Sequence, residues 1–285
     1  MPPVSIVIPA YNEERGIGRT LTQLSAVMKQ QNVEYEIIVV DDGSTDGTAK
    51  AVRQQQGVRL VQHYSNRGYG AAIKTGIRQA NHDWIAIIDA DGTYPPSAIP
   101  LLVAESDGYD MIIGARTEED IPLVRRPAKW FLARLAEYLA ETKIPDLNSG
   151  LRLFKKDIAL SYFNILPSTF SFTITITIAF LSDHYLVRFV PIAYHKREGK
   201  SKIKPIQDSI NFVQLILRTV MYFNPLKVLL PLSFLLLLLA LIIGFYSLFT
   251  QGRVMDITVL TLAMAAIQIA VIAMIADMIQ KKSKV

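Results

Sequence analysis

Two aspartates one residue apart carry the strongest chemical signal in the sequence. They are Asp89 and Asp91 in DADGTY, Asp89 to Tyr94, directly after the apolar run Trp84–Ile88. Carboxylates so spaced at a strand end can hold a hard divalent cation through oxygen ligands. Such a cation can bridge a diphosphate and stabilise it as a leaving group. The plain alternative is an acidic turn, because Asp and Gly are common turn formers. A second cluster is VVDDGSTDGT, Val39 to Thr48. Here the carboxylate of Asp41, or that of Asp42, could accept hydrogen bonds from a base or a ribose, while Gly43 and Ser44 make the turn. Asp46 reads as the N-cap of a following helix. A third cluster is IPAYNEE, Ile8 to Glu14. Pro9 ends a strand, Tyr11 offers an aromatic face to a base, and Glu13 can bind a ribose hydroxyl or a ring nitrogen.

Something must hold these clusters together, and the hydrophobic pattern says what. Val4–Pro9, Glu36–Val40, Val58–Gln62, Trp84–Ile88 and Met111–Ile113 are short β-branched or apolar runs. Between them, Gly16–Gln30, Asp46–Gln55 and Ala71–Ala80 carry helical spacing, as in Ile17, Leu21, Leu24 and Met28. Strands apolar on both faces, separated by helices, predict a parallel sheet covered on both sides. Ligands bind such sheets beyond the carboxyl ends of the strands, where the three polar clusters fall. Further on, Pro127–Thr142 and Pro205–Tyr222 read as amphipathic helices. Thr169–Phe180 alternates strictly between apolar residues and threonines, which by period alone predicts a strand.

The composition is 51% hydrophobic, with no cysteine and a formal charge of +5. Without cysteine there is no disulfide framework and no thiolate metal site, so a metal must sit on oxygen or histidine. The apolar excess lies after Asn224. Val228–Phe249 contains no charge, and Ile257–Ala276 contains no charge and one glutamine, Gln268. Each is long enough to cross about 30 Å of hydrocarbon as a helix. The short connection Thr250–Asp256 makes them a hairpin. Lys227 flanks the first run and Lys281, Lys282 and Lys284 follow the second, whereas the connection has only Arg253, opposed by Asp256. The positive-inside rule then predicts both chain termini on the cytoplasmic side. The first residues lack a basic flank and lead into Glu13 and Glu14, which does not fit a signal peptide.

Taken in order, on successive strand ends, the three clusters make the chain resemble the family 2 glycosyltransferases of the GT-A fold. Within them it is similar to the dolichyl-phosphate mannose synthase and polyprenyl-phosphate glycosyltransferase branch. NRGYGAAIKTGI (Asn66–Ile77), GAR (Gly114–Arg116), LNSGLRLF (Leu147–Phe154), VPIAY (Val190–Tyr194) and REGKSK (Arg197–Lys202) add to the resemblance. It implies an α/β, Rossmann-like nucleotide-sugar domain over residues 1–204. An amphipathic interface helix over 205–224 and a transmembrane hairpin over 225–285, with spans at about 226–249 and 256–278, complete the expectation.

The resemblance also implies roles. Pro9, Tyr11, Glu13 and Asp41, with Asp42, would line the nucleoside pocket. Asp89 and Asp91 would hold Mg²⁺ or Mn²⁺ on the sugar-nucleotide diphosphate. Arg116 and Arg125 would receive a lipid phosphate, with Ser149, Arg152 and Arg197 near the same cleft and Lys202 on a segment leading to the membrane. Arginine suits this because its planar fork matches phosphate oxygens. Two departures stand out. Where many relatives carry a further side-chain ligand, this chain has Thr93, so water would complete the metal shell. Where many carry an acidic base, in the region of Phe172–Thr177, there is no Asp or Glu between Asp157 and Asp183. A hydroxyl acceptor needs such a base, but a phosphate acceptor, with a second pKa of about 6, does not. The same comparison makes Thr169–Phe180 helical, against its alternation.

The expectation is therefore an inverting, metal-dependent hexosyltransferase using GDP-mannose or UDP-glucose and a dolichyl or undecaprenyl phosphate. A transferase of N-acetylhexosamine or another sugar is the near alternative. The catalytic domain would face the cytoplasm from an integral membrane anchor, and a homo-oligomer is left open. A processive polysaccharide synthase would need more helices than two, and an inactive scaffold would not need the paired carboxylates. Nucleic acid is not an expected partner, because the basic residues gather near the arginine motifs and the membrane flanks.

Overall fold

The computed structural model describes residues 1–31, 33–117, 134, 137–138, 141–195, 221–222, 224–252 and 256–282. The chain divides into two compact units, Met1–Leu215 and Ile216–Val285.

The first unit is a seven-stranded sheet dressed with helices. In chain order its elements are β1 (Val4–Ala10), α1 (Ile17–Lys29), β2 (Tyr35–Asp41), α2 (Thr48–Arg53), β3 (Val58–Gln62), α3 (Tyr69–Gln79), β4 (Trp84–Ile87), α4 (Ala98–Ala104), β5 (Met111–Arg116), β6 (Arg152–Lys155), α5 (Lys156–Ser161), α6 (Phe172–Ser182) and β7 (Val187–Ile192). The strand order is β3-β2-β1-β4-β6-β5-β7. Every residue of β1 is buried, as a central strand covered on both faces requires. Helix α1 buries Ile17, Leu21, Leu24 and Met28, the stripe its spacing predicts. Truncating Leu21 to alanine should cost about 2–5 kcal/mol, the usual range for a packed core leucine.

The expected strands and helices are present within a few residues at their ends, but the sheet is mixed rather than all parallel. Strand β6 runs antiparallel to both neighbours, pairing Trp84 with Lys155 and Met111 with Phe154. It is only four residues long and opens with an arginine, so it has no apolar run to announce it. Strand β7 pairs parallel to β5 and was visible only as the motif containing Val190–Tyr194.

The alternating segment is a helix. Helix α6 buries Phe172–Leu181 without exception, so its alternation reports no buried and exposed face. Thr175 Oγ1 donates to the Ser171 carbonyl at 3.0 Å and Thr177 Oγ1 to that of Thr173 at 2.8 Å. Threonine hydroxyls satisfied on the preceding turn let a β-branched sequence stay helical. At α2, Gly47 holds the N-cap position, and Asp46, one residue earlier, accepts from the Thr48 N–H at 3.0 Å. Most of the amphipathic stretches Pro127–Thr142 and Pro205–Tyr222 lie outside the described residues.

The second unit holds two antiparallel-connected apolar helices, α7 (Pro225–Gln251) and α8 (Asp256–Lys282), of 27 residues each. At 1.5 Å per residue each is about 40 Å long, more than a hydrocarbon core requires. Pro225 sits at the start of α7, where its missing N–H costs nothing. Asn224 caps the helix through the Lys227 N–H, and Gly252 ends it in the left-handed region. The two helices meet through small residues: Ser233, Ala240 and Ser247 are buried at seven-residue spacing on α7, as are Ala266 and Ala273 on α8. Ser233 Oγ donates to the Ala266 carbonyl at 2.7 Å. Small residues allow close helix approach, and the heptad spacing is that of left-handed packing. Leucines and isoleucines such as Leu235, Ile242, Ile267 and Ile275 face outward, as lipid-facing positions would.

Candidate functional site

Parallel strands β1, β2 and β4 bring the three polar clusters to one edge, because Ala10 pairs with Asp41 and Val7 with Ile87 in register. The loop after β1 is laced to the loop after β2. Asn12, at φ 54, donates its N–H to Ser44 Oγ at 2.9 Å and accepts from the Thr45 N–H at 2.8 Å. The Glu13 N–H donates to Thr48 Oγ1 at 2.9 Å, and Glu14 accepts from the Gly47 N–H at 2.8 Å. This ties Tyr11 and Glu13 to the same ledge as Asp41. Asp41 is buried, accepting from the Ser44 N–H at 3.0 Å and from Gln62 Nε2 at 3.0 Å.

Asp42 faces a different way. One carboxylate oxygen accepts from the Arg67 N–H at 2.9 Å and meets His63 Nδ1 at 2.7 Å, and the other accepts from the Gly68 N–H at 2.8 Å. The bonds of Asp42 hold the loop into α3. The two neighbouring aspartates are both buried, Asp41 bonded within its own turn and to β3, and Asp42 to the loop before α3.

Asp89 follows β4. Its Oδ1 accepts from the Tyr69 hydroxyl at 2.8 Å. On its other side lies Gly150, where a Cβ would stand 2.3 Å from Asp89 Oδ2, so any larger residue there would turn Asp89 out of its observed orientation. Burial, and then the charge of Asp89, push the Tyr69 phenol well above its ordinary pKa, which keeps it a donor. Asp91 Oδ1 accepts from both the N–H of Thr93 at 3.1 Å and its hydroxyl at 2.7 Å. Thr93, the residue at which water was expected to complete a metal shell, is buried and bonded to Asp91. Among the described residues no group of three histidines or carboxylates converges. The donor set fits a hard cation that takes its remaining ligands from phosphate oxygens and water.

Two of the arginines singled out, Arg116 and Arg152, lie among the described residues. Arg116 forks onto Asp146, with Nε 2.7 Å from Oδ2 and Nη2 2.8 Å from Oδ1. Its guanidinium also lies over the Tyr194 ring, 5.2 Å from the centroid. Burial favours the neutral acid of Asp146, but the hydrogen bonds and charge of Arg116 outweigh it and hold this carboxyl below its ordinary pKa. Arg152 is fully buried. It donates to the carbonyls of Ser149 (Nε, 3.1 Å) and Thr173 (Nη1, 2.8 Å) and to Thr177 Oγ1 at 2.9 Å. Burial lowers its pKa to about 10 against the opposing pull of Tyr69, Tyr94, Asp146 and Asp89. Ser149 is also buried, its hydroxyl donating to the Gly114 carbonyl at 2.6 Å. Arg152 and Ser149, expected near a phosphate cleft, are tied to backbone carbonyls of Ser149, Thr173 and Gly114. Their polarity suggested exposure; their internal partners allow burial. Arg125, Arg197 and Lys202 lie outside the described residues.

Sequence reasoning did not single out Tyr69, Tyr94, Asp146, Gly150 or Tyr194. All but Asp146 fall inside the quoted motifs, where attention went to charge. The Tyr94 hydroxyl accepts from the Gly150 N–H at 2.7 Å, and its ring meets Tyr194 edge-on at 5.3 Å. Of these, only Tyr69, between Gly68 and Gly70, carries a local signal, an aromatic flanked by glycine on both sides.

Comparison with known proteins bears on the family and the fold. Residues 224–281 match the GtrB C-terminal hairpin. A curated relative from Aeromonas hydrophila, an undecaprenyl-phosphate 4-deoxy-4-formamido-L-arabinose transferase, is 34% identical over 161 residues, covering 54% of this chain and 49% of its own. One of the same name from Pseudomonas fluorescens is 36% identical over 214 residues, covering 72% and 61%. The chain thus spans about half to three-fifths of the length of these relatives. Among solved structures, glucosyl-3-phosphoglycerate synthase from Mycobacterium tuberculosis, crystallised with Mn²⁺, UDP-glucose and phosphoglyceric acid, superposes with TM-score 0.62 at 21% identity, over 77% of this chain and 80% of that one. Its Mg²⁺ and UDP complex superposes with TM-score 0.61 at 20% identity, over 77% and 79%. These structures share the fold, and residues 5–163 match Glycosyl transferase family 2, the family to which this chain belongs.

Proposed function

We propose that the chain transfers one sugar from a nucleotide-sugar to a polyprenyl phosphate, with inversion at the anomeric carbon. The observation that carries this reading is a pair of carboxylates suited to a cation, together with a stretch between Asp157 and Asp183 that offers no acid to deprotonate an acceptor. On α6, Thr175 and Thr177 turn their hydroxyls to their own helix. A hydroxyl acceptor would have to lose a proton there, whereas a phosphate monoester is already anionic near neutral pH. The names of the relatives and the apolar hairpin support the same acceptor.

In this reading Pro9, Tyr11, Glu13 and Asp41 frame the nucleoside, and Asp42 holds the neighbouring loop. Asp89 and Asp91 would hold Mg²⁺ or Mn²⁺, which when bound neutralises the departing nucleoside diphosphate. An oxygen of the acceptor phosphate attacks the anomeric carbon as the bond to the diphosphate breaks. The protein contributes placement and fixed charge rather than a proton carrier. Arg116 enters as half of a neutral pair with Asp146, so the acceptor charge falls mainly to Arg125, Arg197 and Lys202. Buried Arg152 supplies a positive potential behind Asp89.

The donor is read as GDP-mannose or UDP-glucose, with N-acetylhexosamine or the modified pentose of the relatives' names as alternatives. Lys227, Lys281, Lys282 and Lys284 support a hairpin with both ends on the cytoplasmic face. The test is a panel of labelled UDP- and GDP-sugars offered to the purified protein with undecaprenyl or dolichyl phosphate. Label should pass into an organic-soluble product from one donor class. Label found only in free sugar or in a water-soluble glycoside would contradict the reading.

A further inference from the structure

We infer that Tyr69 is the positioning residue of the metal carboxylate Asp89, an inference that rests on the metal reading above. Its hydroxyl donates to Asp89 Oδ1 at 2.8 Å. A carboxylate can only accept, so this bond fixes one oxygen, while Gly150 closes against the other. The carboxylate is held between a donor on α3 and the backbone before β6.

The residue that does this is itself held from several sides. Asp42 grips the N–H groups of Arg67 and Gly68 just before it. Gly68 has φ +99, and a Cβ there would stand 2.3 Å from the Ser168 carbonyl oxygen. The Ala71 N–H donates to that same carbonyl at 3.2 Å. One turn on, Lys74 Nζ donates to the carbonyls of Phe163, at 3.0 Å, and Leu166. The start of α3 is thus pinned to the segment Phe163–Phe170. The Tyr69 ring then stacks on Phe170 at 5.1 Å between centroids and 19° between planes.

Packing alone explains the ring but not the hydroxyl, since phenylalanine would stack equally well. A hydrogen bond to an ionised group is among the stronger ones, and partners of metal-ligating carboxylates commonly govern affinity 10–100-fold. The glycine-flanked tyrosine of NRGYGAAIKTGI therefore aims Asp89. Through Phe170, 64% exposed, it also links the metal carboxylate to the segment preceding α6.

The experiment is Mn²⁺ titration by electron paramagnetic resonance, with GDP or UDP present and no acceptor, on the full-length wild type, Tyr69→Phe, Phe170→Ala and Asp91→Ala. Tyr69→Phe should weaken Mn²⁺ binding roughly tenfold or more while nucleotide affinity in chelator stays unchanged, and in a separate transfer assay with donor and acceptor saturating Mn²⁺ should restore most of its turnover. Phe170→Ala keeps the hydroxyl and should weaken binding less than Tyr69→Phe does. If Asp91→Ala lowers Mn²⁺ affinity but Tyr69→Phe matches wild type, the positioning role is overturned and the metal reading stands. An equal loss of nucleotide affinity in chelator would make Tyr69 merely structural and also overturn it. Mn²⁺ binding indifferent to Asp91→Ala would instead remove the metal reading beneath it.

Discussion

Arg116 and Asp146 form a two-pronged ion pair, Nε to Oδ2 at 2.7 Å and Nη2 to Oδ1 at 2.8 Å, with side chains 12% and 6% exposed. Removing one partner of a buried pair leaves an uncompensated charge, at a cost of about 3–5 kcal/mol. Arg116→Ala should therefore lower the unfolding midpoint in detergent clearly. Replacing both, as Arg116→Met with Asp146→Leu, should recover much of the loss. If Arg116→Ala left the midpoint unchanged but raised KM for the lipid acceptor, the arginine would be a free phosphate receptor instead.

The same pair predicts a pH dependence. Asp146 is held below the ordinary aspartate pKa of 3.8. A carboxyl depressed in the folded state adds stability above its unfolded pKa, and that stability fades as pH falls through the folded value. The stability gap between wild type and Asp146→Asn should be full at neutral pH and shrink below about pH 3.8. Denaturant midpoints across acid pH measure it; a gap constant down to pH 2 (roughly, by the linkage argument) would show that the pair contributes no such term.

Gly150→Ala places a methyl 2.3 Å from Asp89 Oδ2 and 2.8 Å from its Cγ. The fold should survive, because the clash is with one side chain, but Asp89 must turn. We expect kcat/KM to fall at least ~10-fold, with circular dichroism unchanged. Wild-type kinetics in this variant would mean that the observed orientation of Asp89 does not matter.

Asp91→Ala should abolish transfer, and chelator should do the same to the wild type, because among the described residues no group of three histidines or carboxylates converges that could replace the pair. Full activity in chelator would remove the metal from the account.

The sequence displayed some of this plainly and hid the rest for physical reasons. Strands β1, β2 and β4 and the polar clusters at their ends were legible, because β-branched runs followed by Asp, Asn and Gly have few other readings. Strand β6 was not: four residues opening with Arg152 give no periodic signal. Helix α6 misled because total burial erases the difference between periods of 2 and 3.6, and only the resemblance argued for a helix there. At the site, charge drew the eye to Asp89 and Asp91, which follow β4 as their spacing implies. It did not announce the burial of Arg152 and Ser149, since whether a polar side chain is exposed depends on carbonyls such as those of Thr173 and Gly114 that arrive from distant parts of the chain. The role of Tyr69 was invisible because it is a hydrogen bond across 20 residues of sequence.

Truncation after Asn224 should leave a domain that binds the nucleotide, because every described cluster lies upstream. It should lose most activity on long-chain lipid in a bilayer and less on a short, water-soluble prenyl phosphate, which reaches the site without a membrane. The ratio of the two rates, truncated against full length, measures this. Equal loss on both acceptors with unchanged nucleotide affinity would mean that the hairpin does more than anchor.

The central claim is that the acceptor is a phosphate on a lipid. Mass spectrometry of the product formed from a nucleotide-sugar and polyprenyl phosphate tests it most directly. The account predicts a lipid heavier by one sugar residue, attached through its phosphate, with nucleoside diphosphate released in equal amount. A sugar joined to a hydroxyl acceptor, or a growing chain of sugars, would contradict it.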